Sequence, residues 1–404
     1  MMEIFNEVQE IARNTSNVYL EEALKSGRRI IGYFCSYVPE EVIHAAGFVP
    51  YRMRAVDSKG TTQADAYFSP LNCTFVRNCF DKALRGDFCF LDGIVILNGC
   101  DHNRRIYDNW RYADIKPDFR YMFVAPHVIG DTARKRFRQE MVQFKEALEK
   151  EFAVNITDEA LNNSIKLFNK KRRLLAQLYE ARKAKNVPIK GSEVLSVVLA
   201  VTAMPVEDAI RLLEEVLQQI AGRVVSSSTD LRIFVTGGCL EEVEHLELIE
   251  SSGAIVVADN LCLGARHFDL EVVEGEDPLG ALADRYLNHL SCPRIMNDFR
   301  RRLAFMYDAM KDYSVDGVIA EKLKFCDLWG GEMFIARNES KGLGFPLLAL
   351  EREMYGGSSG QTKTRVQAFF EQVRNNRWKP EDMARTAGDN YQGSDTFSVK
   401  NRSK

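Results

Sequence analysis

Short apolar runs that do not alternate with polar residues constrain this chain more than any other feature. A strand with one wet face alternates, whereas a strand covered on both faces reads as an unbroken Val/Ile run. Eight such runs occur. RRIIGYFCSYVP (centred on Ile30 to Phe34), FVPYRMR, DGIVILNGC and FRYMFVAPH lie in the first half, and LRIFVTGG, GAIVVADN, DGVIAEKLKFC and FPLLALERE in the second. Helical stretches separate them. PEEVIHAAGF opens with Pro39, carries Glu40 and Glu41 in its first turn and stops at Gly47, so it predicts a helix. Strand–helix alternation at this spacing implies α/β architecture with parallel sheets.

Between the two sets, from Asp131 to about Val225, the pattern is helical throughout. Met141, Phe144, Leu148 and Phe152 make one apolar stripe, and Thr157 is a candidate N-cap for the next helix. The expected organisation is two α/β domains, 1–225 with the helical segment and 226–404. The polar tail from Asn375 is expected to be loose or to wrap a neighbour. A length of 404 residues suits two or three domains with cores that need no disulfides. The net charge of −3 gives no electrostatic reason to expect nucleic acid. No run of ~18 apolar residues predicts a membrane span. The start, MMEIFNEVQEIARN, lacks the apolar core of a signal peptide, so a cytoplasmic location is expected.

Nine cysteines in such a chain do not read as a disulfide framework. Three stand at the ends of elements. Cys100 follows GIVILNG, Cys326 follows DGVIAEKLKF, and Cys73 sits in the loop SPLNCTFVRN before a helical stretch. Ligands bind beyond the carboxyl ends of parallel strands, so thiols from the two halves could meet across one cleft. Thiolates select soft metals, with zinc and iron–sulfur clusters foremost. Spacing alone does not decide the matter. Cys73 and Cys100 are 27 residues apart, Cys326 lies 226 further on, and no CxxC occurs. On spacing alone, three unrelated buried thiols are the stronger reading. Cys35, read as lying inside a strand, and Cys89, Cys239, Cys262 and Cys292 read as packing thiols, and Cys79, six residues from Cys73, as a packing thiol or an alternative ligand. His102, just beyond Cys100, and Ser36, at the end of the first strand, are the candidate catalytic side chains at the cleft; a surface or supporting role for His102 and a turn hydroxyl for Ser36 are the alternatives. His44 and His245 read as helix residues. Gly237-Gly238 could let the backbone approach an anion. No Walker A sequence is present, so no ATP site is expected.

From about Gly32 to Val373 the sequence resembles the 2-hydroxyacyl-CoA dehydratase family, which includes subunits of benzoyl-CoA reductase. The likeness rests on Tyr37-Val38-Pro39-Glu40-Glu41 with Ala45-Ala46-Gly47 and Pro50, and on Cys73 with Val76-Arg77. It continues in Asp92-Gly93-Ile94-Val95 leading to Cys100-Asp101, and in Phe325-Cys326-Asp327. Pro346-Leu347-Leu348 with Leu350-Glu351, and Gly360-Gln361 with Thr364-Arg365 and Ala368-Phe369, complete it. The resemblance implies two Rossmann-like domains with small parallel sheets and bracing helices. It implies an oxygen-sensitive 4Fe–4S cluster at their interface on Cys73, Cys100 and Cys326, with the fourth iron open to water or substrate, and Ser36 as a hydroxyl near the cluster. It implies an acyl-CoA substrate that loses water through a ketyl radical started by one low-potential electron. It also implies a partner, either a related second subunit or a second copy as a dimer, and a separate ATP-hydrolysing iron–sulfur activator. That activator agrees with the missing phosphate loop.

Two other functions stay open. One is a reductase subunit, of the benzoyl-CoA reductase type or with a double-cubane cluster needing about six thiolates. In that case further cysteines, such as Cys79 or Cys89, would face the cluster. The other is a non-catalytic partner, relaying electrons or holding zinc.

Overall fold

The computed structural model describes residues 2–227, 230–355, 359–376 and 378–381; most of the polar tail thus lies outside the described residues. All eight apolar runs form strands: β1 Ile30–Phe34, β2 Val49–Arg52, β3 Gly93–Leu97, β4 Phe119–Phe123, β5 Leu231–Gly237, β6 Ala254–Asp259, β7 Gly317–Leu323 and β8 Leu347–Arg352. They make two four-stranded sheets, ordered β2-β1-β3-β4 and β6-β5-β7-β8. Every pairing is parallel. Every residue of β1, β3 and β6 is buried, which is what unbroken apolar runs require. The molecule is thus α/β, with two Rossmann-like sheets.

Both orders place the reversal of strand progression at the centre, between β1 and β3 in one sheet and between β5 and β7 in the other. At such a switch point the connections leave in opposite directions and open a crevice at the carboxyl ends. Whatever follows β1, β3, β5 and β7 therefore decides what the crevices can bind.

The helices brace this arrangement and tie the halves together. Asp131–Phe152 buries Phe137, Met141, Phe144 and Leu148 against β3 and β4. Phe152 at its end is only half-buried. The next helix begins where expected, with Thr157 Oγ1 accepting from the Ala160 amide at 3.1 Å. Helices Gly191–Val201 and Val206–Ile220 share one hydrophobic cluster with β5 and β6. The opening helix Met2–Arg13 joins that cluster through Ile4, Phe5, Val8 and Ile11. In return, helix Pro278–Asn288 from the second half packs against Asp131–Phe152. Among the described residues no helix is long and apolar enough to cross a membrane.

Candidate active site

Each of the three element-end cysteines is the N-cap of a helix. Cys73 precedes Thr74–Leu84, Cys100 precedes Asp101–Tyr112, and Cys326 precedes Asp327–Leu343. Their backbones are extended, as the cap position requires. The side chain of an N-cap lies at the positive end of the helix, where a thiolate is favoured. Here that preference is opposed. Burial pushes the Cys73 thiol up to about 12, and Cys100 nearby adds to the rise, while the amides of Val76 and Phe75 oppose it. Burial raises Cys326 strongly as well, with the charges of Cys73, Cys292 and Cys100 adding to it. Thiols 226 residues apart in sequence thus lie close enough to act on one another.

His102 joins these turns. Its Nδ1 accepts from the Cys73 amide at 3.1 Å and lies 3.1 Å from Asn72 Nδ2. Its Nε2 lies 3.1 Å from the carbonyl of Phe325. A backbone N–H can only donate and a carbonyl can only accept, so the tautomer with its proton on Nε2 satisfies both contacts. Phe325 has φ +65°, a left-handed backbone that is strained for a residue with a Cβ and recurs at functional sites. Ser36 is 5% exposed and crosses between the halves, its Oγ donating to the Cys262 carbonyl at 3.1 Å.

Cys35, Cys262 and Cys292 form a second set of thiols that act on one another, and Cys262 also acts on Cys239. Cys35 lies just past β1 rather than within it, also left-handed at φ +80°. Burial raises its thiol, Arg52 opposes this, and Cys262 adds to it. Cys292 is pushed up to about 12 by burial, with Arg266 opposing and Cys262 and Cys35 adding. Cys262 Sγ accepts from Arg266 Nη1 at 3.1 Å. The two sets are in electrostatic contact, Cys35 acting on Cys100 and Cys292 on Cys326. In sequence this second set reads as packing thiols, although a signal for it exists. Cys35 follows β1 and Cys262 follows β6 just as Cys100 follows β3. Cys79 is fully buried in a hydrophobic cluster with Phe80 and Trp110, with the charge of Cys73 among the causes that raise its thiol, and Cys89 is exposed. Gly238 has a packing role, since a Cβ there would meet the Trp329 ring at 2.8 Å. His44 and His245 lie in helices as read and are bound to Glu207 and Glu321.

The donors are thiols, which suit soft metals, zinc and iron–sulfur clusters alike. Among the described residues no group of three His, Cys, Asp or Glu side chains is placed to hold a metal ion. Buried thiols that raise one another's pKa, at the positive ends of three helices, gain most from soft cations that displace their protons.

Known proteins resemble this chain over most of its length. Residues 35–373 match the family model of the 2-hydroxyglutaryl-CoA dehydratase D-component. The Escherichia coli putative dehydratase subunit YjiM is 28% identical over 387 residues, covering 92% of this chain and 98% of its own length. The beta subunit of (R)-phenyllactyl-CoA dehydratase from Clostridium sporogenes is 22% identical over 370 residues, covering 91% and 98%. One of the subunits of benzoyl-CoA reductase from Thauera aromatica is 26% identical over 305 residues, covering 74% and 79%. The chain therefore belongs to the 2-hydroxyglutaryl-CoA dehydratase D-component family.

Proposed function

From that membership we propose that the chain is the iron–sulfur catalytic subunit of a radical 2-hydroxyacyl-CoA dehydratase. The observation that carries the reading is the set of helix-capping thiols, Cys73, Cys100 and Cys326, drawn from both halves and acting on one another. Those three residues would hold a 4Fe–4S cluster, which when bound supplies one low-potential electron and an open iron position that can polarise an oxygen. The thioester would enter the crevice between the sheets, its carbonyl near Ser36. Swung from the Cys262 carbonyl, the Ser36 hydroxyl would donate to the thioester oxygen as negative charge develops there. The net reaction breaks the C2–O bond and one C3–H bond, forms C2=C3 and releases water, with the electron recovered. His102, with both ring nitrogens engaged, would act on the turns that carry the thiols. The names of the relatives make them subunits of larger enzymes. A related subunit or a second copy is therefore the expected partner, with a separate ATP-hydrolysing iron–sulfur activator as electron donor.

A second reading is favoured by the second thiol set. With Cys35, Cys262 and Cys292 as further ligands, the site would reach the six thiolates of a double cubane, which would make the chain a low-potential reductase subunit. Anaerobic purification followed by iron, sulfide and EPR analysis separates the readings. About four irons per chain supports the dehydratase and about eight the larger cluster. A chain that takes up neither iron nor sulfide on anaerobic reconstitution overturns both. Turnover of 2-hydroxyacyl thioesters with an activator present then tests the lyase directly, and its absence in a loaded chain would leave electron relay.

A further inference from the structure

We infer that His102 is a positioning residue, a clasp that assembles the three-thiol set from two halves of the molecule. The inference rests on the proposed cluster only for what the thiols hold; the clasp itself stands on hydrogen bonds. Cys100 caps the helix that carries His102, two residues on. From that helix the ring reaches the amide of Cys73 on one side and the carbonyl of Phe325, the residue before Cys326, on the other, each at 3.1 Å. One imidazole thus touches the turns of the other two cysteines and belongs to the turn of the third. The Phe325 hydrogen bond spans 223 residues of sequence and joins the β3 end to the β7 end.

The turn it holds needs holding. Phe325 stands at φ +65°, and such a conformation persists only when its surroundings over-determine it. Lys324 and Cys326 anchor it by backbone hydrogen bonds to Arg352 and Leu323, at 2.8 and 3.0 Å. Its carbonyl is taken by His102, which reaches it from the first half. Once that hydrogen bond is broken, the Cys326 turn can relax away from Cys73 and Cys100 while both sheets stay folded.

The test uses thiol reactivity in the full-length, metal-free, reduced chain, so it does not depend on catalysis. Iodoacetamide labels the thiols anaerobically, and peptide mass spectrometry follows each cysteine. His102→Leu fills similar space without hydrogen bonds. His102→Gln offers one acceptor and one donor on a single amide and can bridge the same two groups. The expected result is Cys326 labelling about tenfold faster in His102→Leu, equivalent to about 1.4 kcal/mol of local opening. His102→Gln should restore most of the protection, and exposed Cys89 should be unchanged throughout. After iron reconstitution, His102→Leu should bind less iron than His102→Gln. Unaltered Cys326 labelling in His102→Leu would overturn the clasp, as would an equal rise at every cysteine. If wild type binds no iron but the labelling pattern holds, the cluster reading falls and the clasp stands. If wild type and His102→Leu hold the same iron with the same labelling, the clasp falls and the cluster stands.

Discussion

Glu241 gives a pH-dependent prediction with a magnitude. It lies in the loop after β5, is 2% exposed, and receives the Ala55 amide at 2.6 Å and the Tyr355 hydroxyl at 3.2 Å, both on Oε1. Its Oε2 has no hydrogen-bond partner among the described residues. Burial is the main cause that lifts its carboxyl from 4.5 to about 7, with the Ala55 amide and Arg54 opposing. Because the folded chain holds this proton more tightly than the unfolded chain, the stabilisation is complete below about pH 4.5. It is lost as pH rises through 7. The difference of 2.5 between those values, at 1.36 kcal/mol each, is on the order of 3 kcal/mol. Glu241→Gln keeps an acceptor for the Ala55 amide and cannot ionise. In metal-free chain its melting temperature should stay near wild type at pH 5 and exceed it by about 4 °C at pH 8.5. That figure takes an unfolding entropy of ~2.1 cal/mol/K per residue. Melting curves of both proteins across this pH range decide it. A gap between variant and wild type that is the same at pH 5 and pH 8.5 would refute the assignment.

Three other outcomes are expected. Cys326→Ser should lose cluster iron, measured after anaerobic reconstitution; Cys292→Ser should keep all of it if the first thiol set alone binds, and lose about half if six thiolates are used. Gly238→Ala should force the Trp329 ring from its seat, where a Cβ would lie 2.8 Å away, and cost about 1–3 kcal/mol in a denaturant melt. Ser36→Ala should slow thioester turnover by about 10²–10³ with iron content unchanged if the hydroxyl stabilises developing charge; unchanged turnover with a lower melting temperature would make the hydrogen bond to Cys262 purely structural.

Much of the fold is legible in the sequence because its strands are buried on both faces. IIGYF, GIVIL and AIVVAD contain no polar alternation, and such runs alternating with helices fit a parallel sheet covered on both faces. The Thr157 cap is legible for a similar reason, since a hydroxyl before a helical run has one obvious local use. The site is legible only in part. Cys100 and Cys326 announce themselves by following strands, and Cys35 and Cys262 do so equally. The latter pair read as packing because free thiols are usually buried hydrophobes. Which thiols share a crevice depends on how two sheets face each other, and no local pattern encodes that. The same holds for the packing of Pro278–Asn288 on Asp131–Phe152, and for His102, whose partners lie 29 and 223 residues away.

The charges around the second thiol set bear on the proposed larger-cluster reading. Arg52 ends β2 beside Tyr33 of β1, is 3% exposed, and leaves Nε and Nη1 without hydrogen-bond partners among the described residues. The thiols of Cys35, Cys239 and Cys262 are among the groups that act on it. Arg266 reaches Cys262 Sγ and stacks over Trp329 at 5.0 Å, and its Nε is likewise unpartnered. Arg294 lies over the Tyr37 ring at 4.7 Å, bound to the carbonyls of Ala125 and Pro126. Among the described residues none of the three has a carboxylate within salt-bridge distance. Buried guanidinium groups without counter-charge are costly, and neutral thiols do not supply one. Thiolates bound to a cluster would, and the loss of each thiol proton on binding would move the site toward charge balance. On the proposed larger-cluster reading, the cations and the thiols would each be unfavourable alone and complementary together.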